Sequence, residues 1–332
     1  MIRPLALAAA VLATLAGAAA AQQPATPQVS GRLVLYTSQL QQDAQQTVDA
    51  FRRVNPGVQV DWTRDGTTQL MNRIRAEITA GSPQADVLLI ADAMTMEALK
   101  AERRLMPYPE APVAGLPPGA YDADRTYFAS KIITTGIIMN RAAPFRPTRW
   151  ADLMRPEMRN QLIMPSPLYS GAATIHMGVL TRMPGLGWPF FEHLAQAGTQ
   201  SARGNGAVLE AVAGGQRFYG IIVDFMAIRA HERGSPVDFI FPEDGVTVVT
   251  EPVAILAGAR NVPAARAFVD FILSPAGQGV AAEQGMFPAR ADVRPPAGFP
   301  PLNTVRLLEA DIAAILAADE ADKRRFAELF GR

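Results

Sequence analysis

The sequence predicts an α/β fold of two doubly wound lobes that are joined by a two-strand hinge. Strand-like and helix-like patterns alternate from residue 32 to residue 90, which is typical of a parallel sheet covered by helices. Two later segments, Lys131–Asn140 and Val246–Leu256, are long and apolar, and Glu251-Pro252 interrupts the second one. Such segments are expected where a chain crosses from one lobe to the other and back. The predicted consequence is a cleft between the lobes that closes around a ligand.

The first-lobe elements follow one another with short connections. Arg32–Tyr36 is a short apolar run and predicts a buried strand. Gln41–Val54 carries apolar residues at helical spacing, and Asn55-Pro56-Gly57 ends the pattern. The next predicted elements are an alternating strand at Val58–Trp62, a helix that opens after Asp65, and a buried strand at Ala85–Ile90.

The second lobe shows a similar alternation. Its predicted elements are a short helix at Trp150–Arg159, strands at Gln161–Met164, Phe218–Val223 and Val237–Phe241, and helices after Tyr169 and Asp224. Three helical patterns follow along the chain: an amphipathic helix at Pro263–Leu273, and the patterns at Leu302–Leu316 and Glu320–Phe330. We therefore expect the first lobe to hold residues 30–135 and 250–290, and the second lobe to hold residues 136–249 and 291–332.

The N-terminal segment predicts export. Residues 1–21 combine a basic start with an apolar run and end in small side chains at Ala19-Ala20-Ala21, the pattern of a cleaved secretory signal peptide. Residues 22–29 are polar and contain proline, so a disordered leader is expected there. The expected location of the mature protein is the periplasm.

Composition limits the partners. The chain contains no cysteine, and its 31 lysines and arginines balance its 31 aspartates and glutamates. The balanced charge argues against nucleic acid as a partner, and a monomer is expected. The three histidines are not spaced as zinc ligands, and Gly204 and Gly206 lack the third glycine of a dinucleotide-binding loop. We therefore expect no metal, no cofactor and no catalytic residue.

Hydroxyl groups and glycines follow several predicted strands, at the starts of helices. Ligands of α/β sheets bind at such positions, where free N–H groups and the helix dipole favour an anion. The same residue types are also common helix caps, so capping remains the alternative for each position. The candidates are Thr37, Ser38, Thr67, Thr68, Ser166, Tyr169, Ser170, Gly171 and Ala172.

Three acidic residues follow or interrupt apolar strand patterns, namely Asp92, Asp224 and Glu251. A carboxylate at such a position is suited to bind an ammonium group, a hydroxyl group or a metal ion. The alternative is a hinge ion pair or a helix cap. Asp224 and Glu251 are the stronger candidates, since Glu251 precedes a proline in the second crossing segment.

Several stretches together resemble one family. RLVLYTSQ, DGTTQLMNRIRAE and SPQADVLLIADA in the first half, and VVTEPVAILAGARNVPAARAFVDFILSPAGQ with FPARADV later, resemble the periplasmic substrate-binding proteins of ABC importers. The similar branch includes binders of ferric iron, 2-aminoethylphosphonate, sugar phosphates and thiamine. The resemblance implies a type II periplasmic binding protein of the Venus-flytrap kind, with an ABC permease of the inner membrane as its partner.

The ligand implied by this resemblance depends on one departure. Ferric binders of the family carry adjacent tyrosines after the strand that reads FYGIIV here, and this chain has Asp224-Phe225 in that place. The departure favours a small anionic or zwitterionic ligand, a phosphonate or phosphate ester, with 2-aminoethylphosphonate or a sugar phosphate expected. Asp224 would then face the amine or the hydroxyl groups. Ferric iron remains an alternative through Tyr169, as does an extracytoplasmic enzyme or a sensor-docking protein on the same scaffold.

Overall fold

A computed structural model describes residues 29–91, 93–117, 119–296, 299–301 and 304–331 of the chain. The predicted signal peptide at 1–21 and the predicted leader up to residue 28 lie outside the described residues, and so does Asp92. In the described part no helix has the length and apolar character needed to cross a membrane.

The elements alternate along the chain as the sequence patterns predict. The strands are β1 (Gly31–Thr37), β2 (Val58–Arg64), β3 (Val87–Leu89), β4 (Tyr127–Ala129), β5 (Lys131–Asn140), β6 (Leu162–Pro165), β7 (Gln200–Ala202), β8 (Tyr219–Val223), β9 (Val237–Ile240), β10 (Val246–Val249), β11 (Pro252–Ile255), β12 (Phe287–Pro288) and β13 (Leu307–Leu308). The helices are α1 (Gln41–Val54), α2 (Thr67–Thr79), α3 (Ala93–Ala101), α4 (Gly171–Leu180), α5 (Gly187–Gln196), α6 (Asn205–Ala213), α7 (Asp224–Glu232), α8 (Val262–Leu273), α9 (Pro275–Glu283) and α10 (Ile312–Phe330).

The first lobe is built on a sheet with the strand order β2-β1-β3-β11-β4. β1 pairs in parallel with β2 and β3, as the alternating pattern predicts. β11 is antiparallel to β3 and β4, because it is the strand with which the chain returns from the other lobe. Phe51 of α1 packs edge-on against Phe268 and Phe271 of α8, and these buried rings anchor the helices to one face of the sheet.

The second lobe is built on a sheet with the order β13-β10-β5-β8-β6-β7, and β9 and β12 also pair with β5. β5 is antiparallel to β8, β9 and β10, whereas β6 is parallel to β7 and β8. Trp150, Phe190 and Phe191 are buried in the core on one side of this sheet. Both sheets are therefore mixed, and the two-lobed α/β fold that the sequence predicts is confirmed.

Two adjacent backbone segments form the hinge between the lobes, and after α9 the chain passes once more into the second lobe, to β13 and α10. The chain first crosses at Ser130, between β4 and β5, and returns at Thr250–Glu251, between β10 and β11. The Ser130 hydroxyl donates to the carbonyl oxygen of Glu251 over 2.6 Å, which joins the two crossings directly. β5 pairs with β10 of the second lobe from residue 133 onward. The first crossing therefore lies before residue 135, where the sequence analysis places the end of the first lobe.

Two helix predictions need correction. The predicted pattern at Leu302–Leu316 is helical only from Ile312, since Leu307–Leu308 forms β13 and residues 302–303 lie outside the described residues. From Ile312 it continues into the pattern at Glu320–Phe330 as one helix, α10, because the residues that join them are alanines and an aspartate rather than glycine or proline. The segment Trp150–Arg159 forms two short 3₁₀ turns instead of a helix, and Pro156 begins the second one.

Candidate functional site

A cleft of about 510 Å³ lies between the two lobes. The first lobe contributes the ends of β1 and β2 and the first turns of α1 and α2. The second lobe contributes the first turns of α4, α6 and α7. This volume is in the range of small-molecule sites, so the cleft is the candidate ligand site.

Five helices point their N-terminal ends into this cleft. α1, α2, α6 and α7 begin after Leu40, Gly66, Gly204 and Val223, and none of these four residues caps its helix with a side-chain hydrogen bond. At α7, however, the carboxylate of Asp224 accepts from the N–H of Phe225. α4 begins after Ser170, whose hydroxyl accepts a hydrogen bond from the N–H of Ala173. Uncapped ends leave backbone N–H groups without an intrahelical acceptor, and the helix dipole makes each end partly positive. The cleft therefore presents several sets of donors that suit an anion.

Two arginines border the cleft from opposite lobes. Arg64 ends β2, and its Nε donates to the carbonyl oxygen of Gln39 over 2.9 Å. Arg203 follows β7 and lies over the ring of Tyr169, with 5.5 Å between its Cζ and the ring centroid. Neither guanidinium forms an ion pair with a carboxylate of the described residues. Both remain available to an anionic ligand.

Seven of the candidates from the sequence line the cleft: Ser38, Thr67, Tyr169, Ser170, Gly171, Ala172 and Glu251. The hydroxyl of Ser38 accepts a hydrogen bond from the N–H of Ala91 over 2.8 Å and retains its own proton for a ligand. Thr67 is the first residue of α2, where its N–H is one of the free donors. The structure thus brings candidates from both lobes to one site.

Three hydroxyl candidates lie behind or beside the cleft wall. Thr37 is fully buried, and its Oγ1 accepts from the N–H of Gln39. Ser166 is buried as well, and its Oγ accepts from the N–H of Leu168. Thr68 does not line the cleft, because it is the second residue of α2 and its side chain lies on another side of the helix from that of Thr67. The side chains of Thr37 and Ser166 therefore stabilise turns after their strands, as Ser and Thr often do, rather than facing the ligand.

Asp224 has a different place from the expected one. It is fully buried, it does not line the cleft, and its Oδ2 accepts from both the N–H and the hydroxyl of Thr134, over 2.9 and 2.7 Å. Its Oδ1 accepts from the N–H of Phe225. Burial raises the pKa of Asp224 to about 7, although these hydrogen bonds and nearby Arg229 lower it. The carboxylate thus fastens α7 to β5 and does not face the ligand space.

Glu251 lines the cleft but is already paired. Its Oε2 lies 2.6 Å from the Nζ of Lys131, and both side chains are almost completely buried. Burial raises the pKa of Glu251, and the ammonium group of Lys131 opposes the shift. Glu251 also holds a backbone φ of +37°, an unusual value for a residue with a side chain. Glu251 thus forms the hinge ion pair that the sequence analysis gives as the alternative to ligand binding.

A second carboxylate of the cleft is paired across the lobes. Asp43 lies in the first turn of α1, and both its carboxylate oxygens accept from Arg229 of α7, over 3.1 and 3.0 Å. The side chain of Asp43 is buried, and that of Arg229 is 16% exposed. This fork-shaped pair closes one side of the cleft.

Several residues of the cleft could not be identified as site residues from the sequence. Arg64, Arg203, Gln39 and Asp43 belong to this group, since an arginine or a carboxylate at a strand end or helix start is ordinary in a sequence. Gly204 and Gly206 also line the cleft, although the sequence pattern excluded them only as a dinucleotide-binding loop that lacks its third glycine. The structure places that pair at the start of α6, inside the cleft.

The floor of the cleft is apolar. Ile133, Val223, Phe225, Met226 and Met286 line it, and each is buried apart from the face that borders the cleft. A ligand with a carbon skeleton fits against such a floor while its charged group reaches the helix ends.

The fold and the cleft define a two-lobed binding protein of the type II periplasmic class. A family model described as "Bacterial extracellular solute-binding protein" matches residues 33–287, and the chain belongs to this family.

Three similar proteins extend the comparison. The probable ABC transporter periplasmic-binding protein y4fP of Sinorhizobium fredii is 26% identical over 226 residues, which cover 65% of this chain and 62% of that protein. The periplasmic binding protein AfuA of Actinobacillus pleuropneumoniae, solved with fructose-6-phosphate, superposes with a TM-score of 0.82 at 22% identity, covering 90% of this chain and 98% of that chain. Iron-bound HitA of Pseudomonas aeruginosa superposes with a TM-score of 0.77 at 21% identity, covering 89% and 99%. At such identities the two superpositions show the shared fold alone.

Proposed function

We propose that this protein is the periplasmic solute-binding component of an ABC transporter. In this role it captures a small phosphonate or phosphate ester by closure of its cleft and delivers the ligand to the permease. The family membership supports a binding role, and the relative y4fP is named as a periplasmic-binding protein of an ABC transporter. The ligand class is argued from the cleft itself.

The observation that carries the ligand class is the convergence of uncapped helix ends and unpaired arginines. The N-terminal ends of α1, α2 and α6 lack a side-chain cap, and Arg64 and Arg203 lack an ion-pair partner among the described residues. A phosphoryl group has several oxygens and carries up to two negative charges, so it can accept from N–H groups and guanidinium groups together. AfuA, which shares the fold, binds a sugar phosphate.

Within this class, the cleft favours a ligand without an amine. Asp43 and Glu251 are paired with Arg229 and Lys131, and Asp224 is buried outside the cleft. Asp65 lines the cleft but is exposed, and its Oδ1 accepts from the N–H of Gly66. Among the described residues, an ammonium group would therefore meet no free, desolvated carboxylate. A sugar phosphate or a similar phosphate ester is favoured over 2-aminoethylphosphonate.

Ferric iron has weaker support. Tyr169 is the tyrosine that borders the cleft in the described part of the chain, and a single phenolate is a poor substitute for several hard oxygen donors. No group of three or more histidine, cysteine, aspartate and glutamate side chains among the described residues is arranged to hold a metal ion. The paired states of Asp43 and Glu251 reduce the donor set further.

Isothermal titration calorimetry of the mature protein tests the proposal. The titrants are glucose 6-phosphate, 2-aminoethylphosphonate, ethylphosphonate as its amine-free match, and ferric citrate. We expect saturable binding of a phosphoryl compound, with 2-aminoethylphosphonate no tighter than ethylphosphonate. Tight binding of iron with no response to any phosphoryl compound would remove the proposal.

A further inference from the structure

A second, much smaller cavity lies inside the second lobe. It has a volume of about 10 Å³ and sits between β5 and the first turns of α4 and α6. Ala172 and Asn205 border both this cavity and the ligand cleft, so the cavity lies directly behind two of the helix ends described above. Its volume matches the space for one water molecule and excludes an organic ligand.

Two side-chain atoms of the residues that line this cavity lack a hydrogen-bond partner. They are Nε2 of His176 on α4 and Oγ1 of Thr135 on β5, and both atoms are buried. The two residues are only 4% and 2% exposed. A buried polar group without a partner destabilises a protein by roughly 1–3 kcal/mol. Two such atoms around one cavity therefore indicate a partner that bonds to both.

The surroundings of His176 define what this partner must do. Its Nδ1 lies 3.1 Å from Oγ1 of Thr247, and its ring packs against Trp150 with 4.7 Å between the centroids. Burial lowers the pKa of His176 to about 3, so the imidazole is neutral at physiological pH. A neutral imidazole has one donor and one acceptor nitrogen, and Nε2 takes whichever role Nδ1 leaves open. The hydroxyl of Thr135 can donate or accept.

We propose that this cavity holds one internal water molecule that bridges Nε2 of His176 and Oγ1 of Thr135. Water suits both sites, because it donates and accepts and so matches either tautomer of the imidazole. An ion does not suit the cavity, since no charged side chain of the described residues borders it. The other wall residues are mainly apolar, for example Met164 and Phe326.

The bridging water connects α4 to the central strand of the second lobe. Thr135 belongs to β5, whereas His176 lies one and a half turns beyond the start of α4, the end that faces the cleft with Ser170 and Gly171. The bridge therefore fixes the position of a helix end that presents donors to the ligand. This inference is independent of the identity of the ligand, and it would stand if the proposed phosphate ester were replaced by another cargo.

A crystal structure and a double-mutant cycle on the mature protein test the inference. A well-resolved electron-density map should show one peak within hydrogen-bond distance of both Nε2 of His176 and Oγ1 of Thr135. A map with an empty cavity would overturn the inference.

The cycle compares T135V, H176F and the double variant by chemical denaturation. Each single change is expected to lower the equilibrium constant of folding by about 5- to 100-fold. The double variant should lose clearly less than the product of the two factors, because no polar atom then remains stranded in the cavity. The loss of the Thr247 contact occurs in both H176F backgrounds and cancels.

The matched control is T199V. Thr199 also has a buried Oγ1 without a partner, but it does not border this cavity. T199V is expected to combine with H176F as an independent change. If the effects of T135V and H176F on folding stability were also independent of each other, a water that bridges the two side chains would be contradicted.

Discussion

The guanidinium of Arg229 in the second lobe donates two hydrogen bonds to the carboxylate of Asp43 in the first lobe, over 3.1 and 3.0 Å. The pair spans the cleft at a point where both side chains are largely removed from water. The pair joins the two lobes, so it contributes to their arrangement relative to one another rather than to the stability of either lobe alone. It also occupies a carboxylate that would otherwise repel an anionic ligand.

The first prediction concerns this ion pair. We expect R229M to weaken the binding of a phosphate ester by about 2 kcal/mol or more, roughly 30-fold, because Asp43 then remains buried and unpaired in the closed state. Calorimetric titration measures the affinity, and small-angle scattering measures the extent of closure. The control is R32M, which breaks the exposed Arg32–Asp61 pair within the first lobe and should change the affinity little. Wild-type affinity in R229M would show that the pair plays no part in closure.

The second prediction concerns the close approach of Gly66 to Tyr169 across the cleft. A Cβ at Gly66 would lie 2.9 Å from the carbonyl oxygen of Tyr169 and 2.6 Å from Oε1 of Gln69. The φ of Gly66 is −62°, which any residue adopts, so the substitution strains no backbone. We expect G66A to reduce ligand affinity several-fold by opposing closure while the melting temperature stays close to wild type.

The control for this substitution is G279A in α9, where an added Cβ meets nothing within 4 Å. It should leave the affinity unchanged. If G66A bound the ligand as tightly as G279A, the contact between Gly66 and Tyr169 would not limit closure.

The third prediction concerns the two unpaired arginines of the cleft. We expect R64M and R203M each to weaken the binding of a phosphate ester by about 10- to 100-fold, the effect of removing a hydrogen bond from a charged donor. Wild-type affinity should also fall with rising salt more steeply than that of either variant. R155M, which removes an exposed arginine paired with Glu157, serves as the control. Unchanged affinity in both cleft variants would contradict the proposed anion site.

The fourth prediction concerns the pH dependence of stability. Burial lowers the pKa of His176 from 6.5 to about 3, so between these two values the unfolded state binds more protons at this residue than the folded state does. The contribution of His176 is therefore fully present above pH 6.5 and is lost as the pH falls toward 3.

The free energy of unfolding of the wild type, relative to H176F, should decrease by roughly 1.4 kcal/mol for each pH unit in this window. Asp224 titrates with the opposite sign, since its pKa is raised, but it is present in both proteins and cancels in the difference. A difference that does not change with pH would show that His176 is accessible to protons in the folded state. Denaturant titrations at several pH values supply the measurement.

Much of the fold could be predicted from local patterns. The helix α1 begins and ends at the predicted residues, Gln41 and Val54, because its apolar spacing is regular and Asn55-Pro56-Gly57 ends it. The second crossing was visible as an interruption at Glu251-Pro252. The position of the first crossing, at Ser130, could not be identified in the same way, since Ser130 is the single residue between β4 and β5 and no turn residue marks it.

The candidate site could be predicted by its elements but not by its charges. Strand ends and helix starts marked Ser38, Thr67 and Ser170, which line the cleft. Which carboxylate stays free depends on partners that are distant in the chain: Arg229 lies 186 residues from Asp43. The side chain of Asp224 turns back to Thr134 of the neighbouring strand, a contact that no local pattern encodes.

The most direct test of the proposed function is a mass spectrum of the small molecule released by denaturing the protein as purified from its natural host. We predict a compound that contains phosphorus, carries a carbon skeleton and has no basic amine, as expected for uncapped helix ends beside Arg64 and Arg203. Stoichiometric iron without any organic phosphorus compound, or an amine-bearing cationic ligand, would contradict the account.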